Sequence, residues 1–411
     1  MSDSSESALS TELIRHMSDE LGEPDWMNEF RLRCLETYRE QDEQSGQIQT
    51  TDLPMMFTDL SADQILPDQD ERERWARTAE KQEGVERLKE KGVLFMPLNE
   101  ALQRYPDRVR RYFMRHAVPP GRNRFASLHG ALWNGGTFVY VPEDVEVDIP
   151  LTVYHQTASD SSYVFLHQLI VAEPGSSVRF FEGCSTSDGP QTRTVLGCVE
   201  VIVRRHANVK YSTLQNWGSS SFNVTEKQAV VKRNGRMTWV GGNIGSRMTE
   251  VIPSTVLEGP GASCRHVEFA CADEQQLLCG GANVAHRSPN TTSDILIRST
   301  ARNEGEVVQL GDLSIESGSE NARSDIQCDE VQLDSSARSV SHQHLDISEK
   351  DVDVRQNTTA GPISRERLRY MRTRGIPSRE SEQMLLEAFL KPVLDAFPPE
   401  YAVELKKEIQ S

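Results

Sequence analysis

Residues 199–240 read VEVIVRRHANVKYSTLQNWGSSSFNVTEKQAVVKRNGRMTWV, and the fold class turns on how they are interpreted. Apolar and polar residues alternate through 199–204, 208–213 and 236–240, the two-residue period that sends successive side chains to opposite faces of a strand. Arg205-His206-Ala207 and Lys232-Arg233-Asn234-Gly235 each form a corner that introduces another strand of similar length. Pro174-Gly175-Ser176 and Gly259-Pro260-Gly261 repeat the phrase. The corners recur at roughly 25 to 30 residues, the period of rungs in a stacked solenoid. A β-sandwich gives similar local patterns, but this many segments in one continuous run favour the β-solenoid.

Working outward, further short segments are expected at 137–141, 145–149, 165–171, 177–181, 293–298 and 314–317, so the β texture runs from Phe125 to about residue 360. Before it the pattern is helical. Ser10 or Thr11 caps a first helix, Glu23-Pro24-Asp25 begins a second carrying Trp26, Met27, Phe30 and Leu35, and Asn99 and Pro106 open two more. After Pro362 helices return at Ser364, Ser378 and Pro399. The expected organisation is a disordered tail at 1–9, an N-terminal helical region with a linker at 10–124, a β core at 125–360 and a C-terminal helical region at 361–411, mainly β overall.

The net charge of −17 leaves no basic stripe to neutralise phosphates, so nucleic acid and anionic membrane surfaces are excluded as partners. Only about ten of the 45 basic residues are lysine, a balance that fits a salt-adapted acidic surface as well as an ordinary acidic protein. The seven cysteines are scattered and odd in number, which suits a reducing compartment. No apolar leader and no run of about 18 apolar residues is present, and the expected location is the cytoplasm.

Phosphate-loop, paired-cysteine zinc, HExxH and nucleophile-elbow motifs are absent. The chemistry-bearing residues are therefore scattered ones. In 324–360 the alternation sets Ile326, Cys328 and Glu330 against Gln327, Asp329 and Val331, and a following segment places His342 and His344 two apart on one face. Thiolate and imidazole are soft and intermediate metal ligands, while a solvated face near a subunit interface is the bland alternative for the histidines. Asp329 and Glu330 are expected to raise the Cys328 pKa. Cys184 and Cys198 read as small core residues, Cys264, Cys271 and Cys279 fit no zinc cage, and Gln215-Asn216-Trp217 reads as an amide ladder inside the solenoid.

SLHGALWNGGTFVYVPEDVEVDIPL (127–151), FFEGC (180–184), YSTLQNW (211–217), FNVTEKQA (222–229) and RTRGIPSRESEQMLLEAFLKPV (372–393), with EPDWMNEFRLRCLETY and KGVLFMPLNEALQRYPDRVRRYF before the core, resemble the SufB/SufD family of iron-sulfur cluster assembly proteins, with a SufB-like body. The resemblance implies a right-handed parallel β-helix between helical regions and a scaffold without catalytic motifs of its own. It implies a SufC-type ATPase bound through the C-terminal helices. It also implies a SufB/SufD-type paralogue or second copy paired through the β-helix end, with a transient iron-sulfur cluster at that dimer interface. Carried over residue by residue, the interface cysteine falls on Cys328, the sulfur-accepting cysteine on Cys184, and the sulfur route on Gln215, Trp217 and Lys227. The sequence departs from the family where interface ligands are expected: Gln356 and Asn357 stand there, and an amide replaces neither a carboxylate nor an imidazole as a ligand. Three readings follow: a scaffold component completed by a fuller partner; a chain in which His342 and His344 substitute for the lost ligands; or a polysaccharide-cleaving β-helix enzyme, which the family motifs oppose. A paralogue holding no cluster, acting only as a structural or regulatory subunit, is the alternative within the family.

Overall fold

The computed structural model describes residues 9–41, 65, 84–157, 163–186 and 193–410; nearly all of the tail expected at 1–9 and part of the helical region with its linker expected at 10–124 lie outside the described residues. The core is a parallel β-solenoid built from two facing sheets. Each rung contributes one strand to each sheet, as in β4 (Tyr163–Ala172) with β5 (Ser177–Thr186), β6 (Thr194–Val203) with β7 (Asn208–Asn216), and β8 (Phe222–Val231) with β9 (Arg236–Asn243). Sheet A includes β2 (Gly135–Val141), β4, β6, β8, the two short strands of one rung, β10 (Met248–Val251) and β11 (Ser254–Leu257), then β13 (Leu277–His286), β15 (Glu306–Ile315) and β17 (Arg338–Ile347). Sheet B runs β3 (Leu151–Thr157), β5, β7, β9, β12 (Ser263–Ala272), β14 (Thr292–Ala301), β16 (Ala322–Gln332) and β18 (Val352–Pro362).

The corners explain why the chain coils. Asp144, Gly175, His206, Asn234, Gly261, Asn290 and Asn321 all have φ between 53° and 71°, the left-handed region that glycine enters freely and Asn, Asp and His tolerate. Each donates its backbone N–H to a carbonyl of the next rung: Gly175 to Arg205, His206 to Arg233, Asn234 to Pro260, Gly261 to Pro289. The stacked corners thus satisfy their own polar backbone.

Two expected strands differ. Residues 145–149 make a single bridge, Glu146 to Ser177. Pro142 and Pro150 bracket the segment without an N–H to give, and its alternating Val145, Val147 and Ile149 serve packing against the core. At 314–317 the strand ends with Ile315, and Glu316 starts a turn in which Gly318 has φ 91°. Phe125 lies in a helix: Asn123 Oδ1 accepts the Ala126 N–H at 2.7 Å, capping Arg124–Leu132, and the first sheet-A strand of the solenoid starts at Gly135.

Three apolar layers result. The solenoid interior holds Val139, Ile170, Val201, Trp239, Ile297 and Cys328 among others. The outer face of sheet A, through Phe165, Leu169, Leu196 and Ile202, is covered by the N-terminal helices α1 (Thr11–Glu20) and α2 (Asp25–Glu40) and by the capped helix Arg124–Leu132. The outer face of sheet B, through Phe181, Leu214, Val267 and Phe269, is covered by Leu390, Val393, Phe397 and Leu405 of the C-terminal segment. That segment comprises helices Arg365–Thr373, Ser378–Leu394 and Pro399–Gln410. The ends of sheet A differ: β1 (Leu94–Pro97) lies antiparallel against β2 at its start, whereas β17 ends it without a further strand. Among the described residues no helix is long and apolar enough to cross a membrane, and none of the seven cysteines forms a disulfide.

Candidate functional site

Register places the chemistry inside the solenoid. Along sheet B the inward positions stack as two adjoining columns. One runs Glu182, Thr213, Gly241, Glu268, Ile297, Cys328; the other runs Cys184, Gln215, Asn243, Ala270, Ser299, Glu330. Facing them from sheet A are Gln168 and Lys227, joined through Val199 in a single column. Strands 4.7–4.9 Å apart put about 24 Å between the Cys184 rung and the Cys328 rung.

At the Cys184 end a charged cluster is buried. Glu182 accepts from the Gln168 amide at 2.8 Å and from the Tyr211 hydroxyl, and His155 Nε2 stands 3.4 Å from its Oε1. Burial acts to raise the Glu182 carboxyl, but the His155 hydrogen bond and charge, Lys227 and Tyr211 together hold it below the ordinary value. Lys227 is 1% exposed, with Nζ 5.5 Å from the Tyr211 ring. Burial lowers its pKa while Glu182, Glu268 and Cys184 oppose that shift. Burial pushes the Glu268 carboxyl up to about 8 against the pull of Lys227. Its carboxylate occupies the space above Gly241, where an added Cβ would lie 1.8 Å from Oε2. Cys184 is raised by burial and then by Glu182, with Lys227 opposing, and it packs with Trp217, Val164, Leu166 and Val195.

The four residues of the expected sulfur route therefore lie in one interior. Gln215 is the ladder partner of Cys184 and of Asn243 and accepts from Asn223, which in turn accepts from the Thr225 hydroxyl at 3.0 Å. Gln215 and Asn243 stand in register, Asn216 has the opposite parity, and the amide hydrogen bond of Gln215 runs to Asn223 on sheet A rather than along a ladder.

At the other end Cys328 faces inward, fully buried. Burial, then Glu330, then Asp329 push its thiol up to about 12. Glu330 accepts from Ser339 at 2.5 Å. Asp329, on the opposite face, lies 3.5 Å from Arg298 and accepts from Gln327 at 2.7 Å. A cleft of about 490 Å³ opens there between the end of sheet B and the C-terminal helices, lined in part by Arg298, Asp329, Glu330, Arg367 and Phe389. Thr358 is the ladder partner of Cys328, and Gln356 and Asn357 pair with Ile326 and Gln327. Gln356 shares the inward parity of Cys328, Asn357 has the outward parity, and both are exposed on the last strand. His342 and His344 pair with Leu310 and Asp312. They share the outward parity of sheet A, while Ser339 on the inward parity reaches Glu330. Within one chain, Cys328 and the two histidines stand on opposite sides of the sheets.

The sequence reading missed a second group. His129, His167 and Cys198 each offer a ligand atom within 4.8 Å of the others, between the helix Arg124–Leu132 and the outer face of sheet A. Cys198 was expected only to pack. Its partners lie on another strand and on a helix, so no local spacing announces them.

The chain was compared with known proteins. The family description "SUF system FeS cluster assembly, SufBD core domain" matches residues 154–389, and "SufBD protein N-terminal region" matches residues 74–153. The iron-sulfur cluster assembly SufBD family protein of Staphylococcus aureus strain MRSA252 is 31% identical over 438 aligned residues, covering 99% of this chain and 93% of that protein. The protein of the same description from Staphylococcus epidermidis is 31% identical over 434, with the same coverage.

Proposed function

The chain belongs to the SufBD family of iron-sulfur cluster assembly proteins, and from that premise we propose that it is a scaffold subunit which carries sulfur through its interior from Cys184 toward Cys328. The observation that carries this reading is the pair of inward columns joining the two cysteines. Lys227, beside Cys184, offers a buried positive charge to a thiolate or persulfide there. Gln215 and Asn243 continue the lining toward Glu268, Ser299 and Glu330.

The open end of the solenoid supports pairing with a SufB/SufD-type paralogue or a second copy. β17 and β18 end their sheets, presenting backbone donors and acceptors that a partner strand satisfies. Val340, Leu345 and Ile347 are exposed on β17. With amides at Gln356 and Asn357, the cluster under assembly takes its remaining ligands from the partner, Cys328 being this chain's contribution. His342 and His344 lie on the outer face, where they meet a cluster only across such an interface. The C-terminal helices dock a SufC-type ATPase: Arg365–Thr373 buries no residue, and Tyr370, Met384 and Val403 remain exposed.

Radiolabelled sulfur delivered by a cysteine desulfurase, followed by alkylation and peptide mapping, tests the route. Label is expected at both Cys184 and Cys328 in the wild type, and at neither in Cys184→Ser. Undiminished label at Cys328 in that variant refutes the interior route. For docking, co-purification of the ATPase is expected to vanish when residues 364–411 are deleted, and retained binding refutes it.

A further inference from the structure

We propose that His129 Nε2, His167 Nδ1 and Cys198 Sγ form a binding site for a borderline transition-metal ion of the Zn2+ class, which staples the N-terminal helical layer to the solenoid. All three side chains are at most 1% exposed. His167 and Cys198 are ladder partners on β4 and β6, so the backbone fixes their spacing, and His129 reaches them from the helix Arg124–Leu132. The facing ring nitrogens of His129 and His167 are 3.2 Å apart. Two ligands at about 2.0–2.1 Å from a tetrahedral zinc ion stand about 3.3 Å from each other, so the pair is already at ligand spacing.

The surroundings have the form of a metal site's outer shell. His167 Nε2, the nitrogen turned away from the cluster, is 3.2 Å from Glu200 Oε2, the carboxylate–histidine arrangement that fixes the tautomer of a ligating imidazole. Glu200 is itself held by the Met114 N–H at 2.6 Å and the Val118 N–H at 2.9 Å. Phe113 packs on the His167 ring at 4.3 Å and Phe125 stacks on His129 at 6.3 Å, locking both rings in orientation. With a metal between the rings, both facing nitrogens present lone pairs and His129 carries its proton on Nδ1, beside the Leu196 backbone. Binding displaces the Cys198 thiol proton to solvent, and the thiolate then partners the divalent ion.

The test uses the full chain expressed in cobalt-supplemented minimal medium, with Co2+ as the probe. Wild type is expected to hold one more equivalent of Co2+ than Cys198→Ser, with a thiolate-to-cobalt absorption band that Cys198→Ser loses and that Cys184→Ser and Cys328→Ser keep. Removing the ion by chelation is expected to lower the wild-type melting temperature and leave that of Cys198→Ser unchanged. Equal uptake by wild type and Cys198→Ser, or a band that survives in Cys198→Ser, overturns the site. If Cys198→Ser fails to fold, His129→Gln, whose amide can still donate to His167, takes its place. Folded wild type without a cobalt–thiolate band overturns the proposal irrespective of either variant.

Discussion

Replacing Glu268 by glutamine tests the electrostatics of the solenoid interior. Glu268 is 4% exposed and its carboxyl is pushed up to about 8 by burial, with Lys227 pulling the other way. In the unfolded chain the same carboxyl titrates at its ordinary value of 4.5. Between those values the folded state binds the proton that the unfolded state has released, so stability is full below pH 4.5 and falls as pH rises toward 8. Each pH unit in that window is worth about 1.4 kcal/mol, which makes the penalty under 1 kcal/mol at pH 5 and about 3 kcal/mol at pH 7. Glu268→Gln keeps the shape over Gly241 and has no proton to lose. It is therefore expected to be more stable than wild type by a margin that grows through this range and levels off above pH 8. Glu200 is present in both proteins, while Lys227 loses the upward pull of Glu268 in the variant, so the difference reports the buried Glu268–Lys227 pair. Urea midpoints followed by tryptophan fluorescence at pH 5, 6, 7 and 8 measure it. A difference that stays flat across this series refutes the protonated, desolvated Glu268.

Gly241→Ala puts a methyl 1.8 Å from Glu268 Oε2, and the resulting overpacking is expected to cost about 1–3 kcal/mol in urea denaturation; an unchanged midpoint would mean that the carboxylate sits elsewhere. Arg31, fully buried, pairs with both Glu23 oxygens at 2.6 and 2.7 Å, donates to the Ala131 carbonyl at 2.9 Å and lies over Trp133. Arg31→Met strands the Glu23 carboxylate and is expected to lose about 3–5 kcal/mol, read from the same denaturation curves. The Cys328 thiol, pushed up to about 12, is expected to react with a disulfide reagent far more slowly at pH 7 than in urea; equal rates would contradict its burial. Alanine at both His342 and His344, exposed on β17, is expected to change stability by less than about 0.5 kcal/mol. Iron bound after anaerobic reconstitution with the partner present reads their ligand role, and unchanged loading removes it.

Much of the fold is legible because its determinants are local. The left-handed corners leading from sheet A to sheet B fall on Gly, Asn, Asp and His, although Glu274 and Glu304 take positive φ at return corners, and the alternation of Ile326, Cys328 and Glu330 anticipates their inward faces. Residues 145–149 mislead for a physical reason: alternation reports which side chains are buried, and Val147 is buried beside the core with almost no ladder to belong to. At 124–132 the helix is set by the Asn123 cap and by a surface buried against sheet A, a tertiary contact that local pattern does not display. Cys184 and Cys328 enter the candidate site through the family resemblance of their segments. The Lys227, Glu182 and Glu268 cluster and the His129, His167 and Cys198 group depend on residues brought together across rungs and layers, and sequence spacing carries no trace of such meetings.

The unequal ends of sheet A bear on stoichiometry. A solenoid open at both ends can add copies head to tail without limit, as a filament does. Here β1 runs antiparallel across the start of sheet A, so a copy arriving there cannot continue that parallel sheet, whereas β17 and β18 end theirs with parallel strands. Under the pairing proposed above, joining two such ends would use up those edges of both partners and favour a closed pair over a filament.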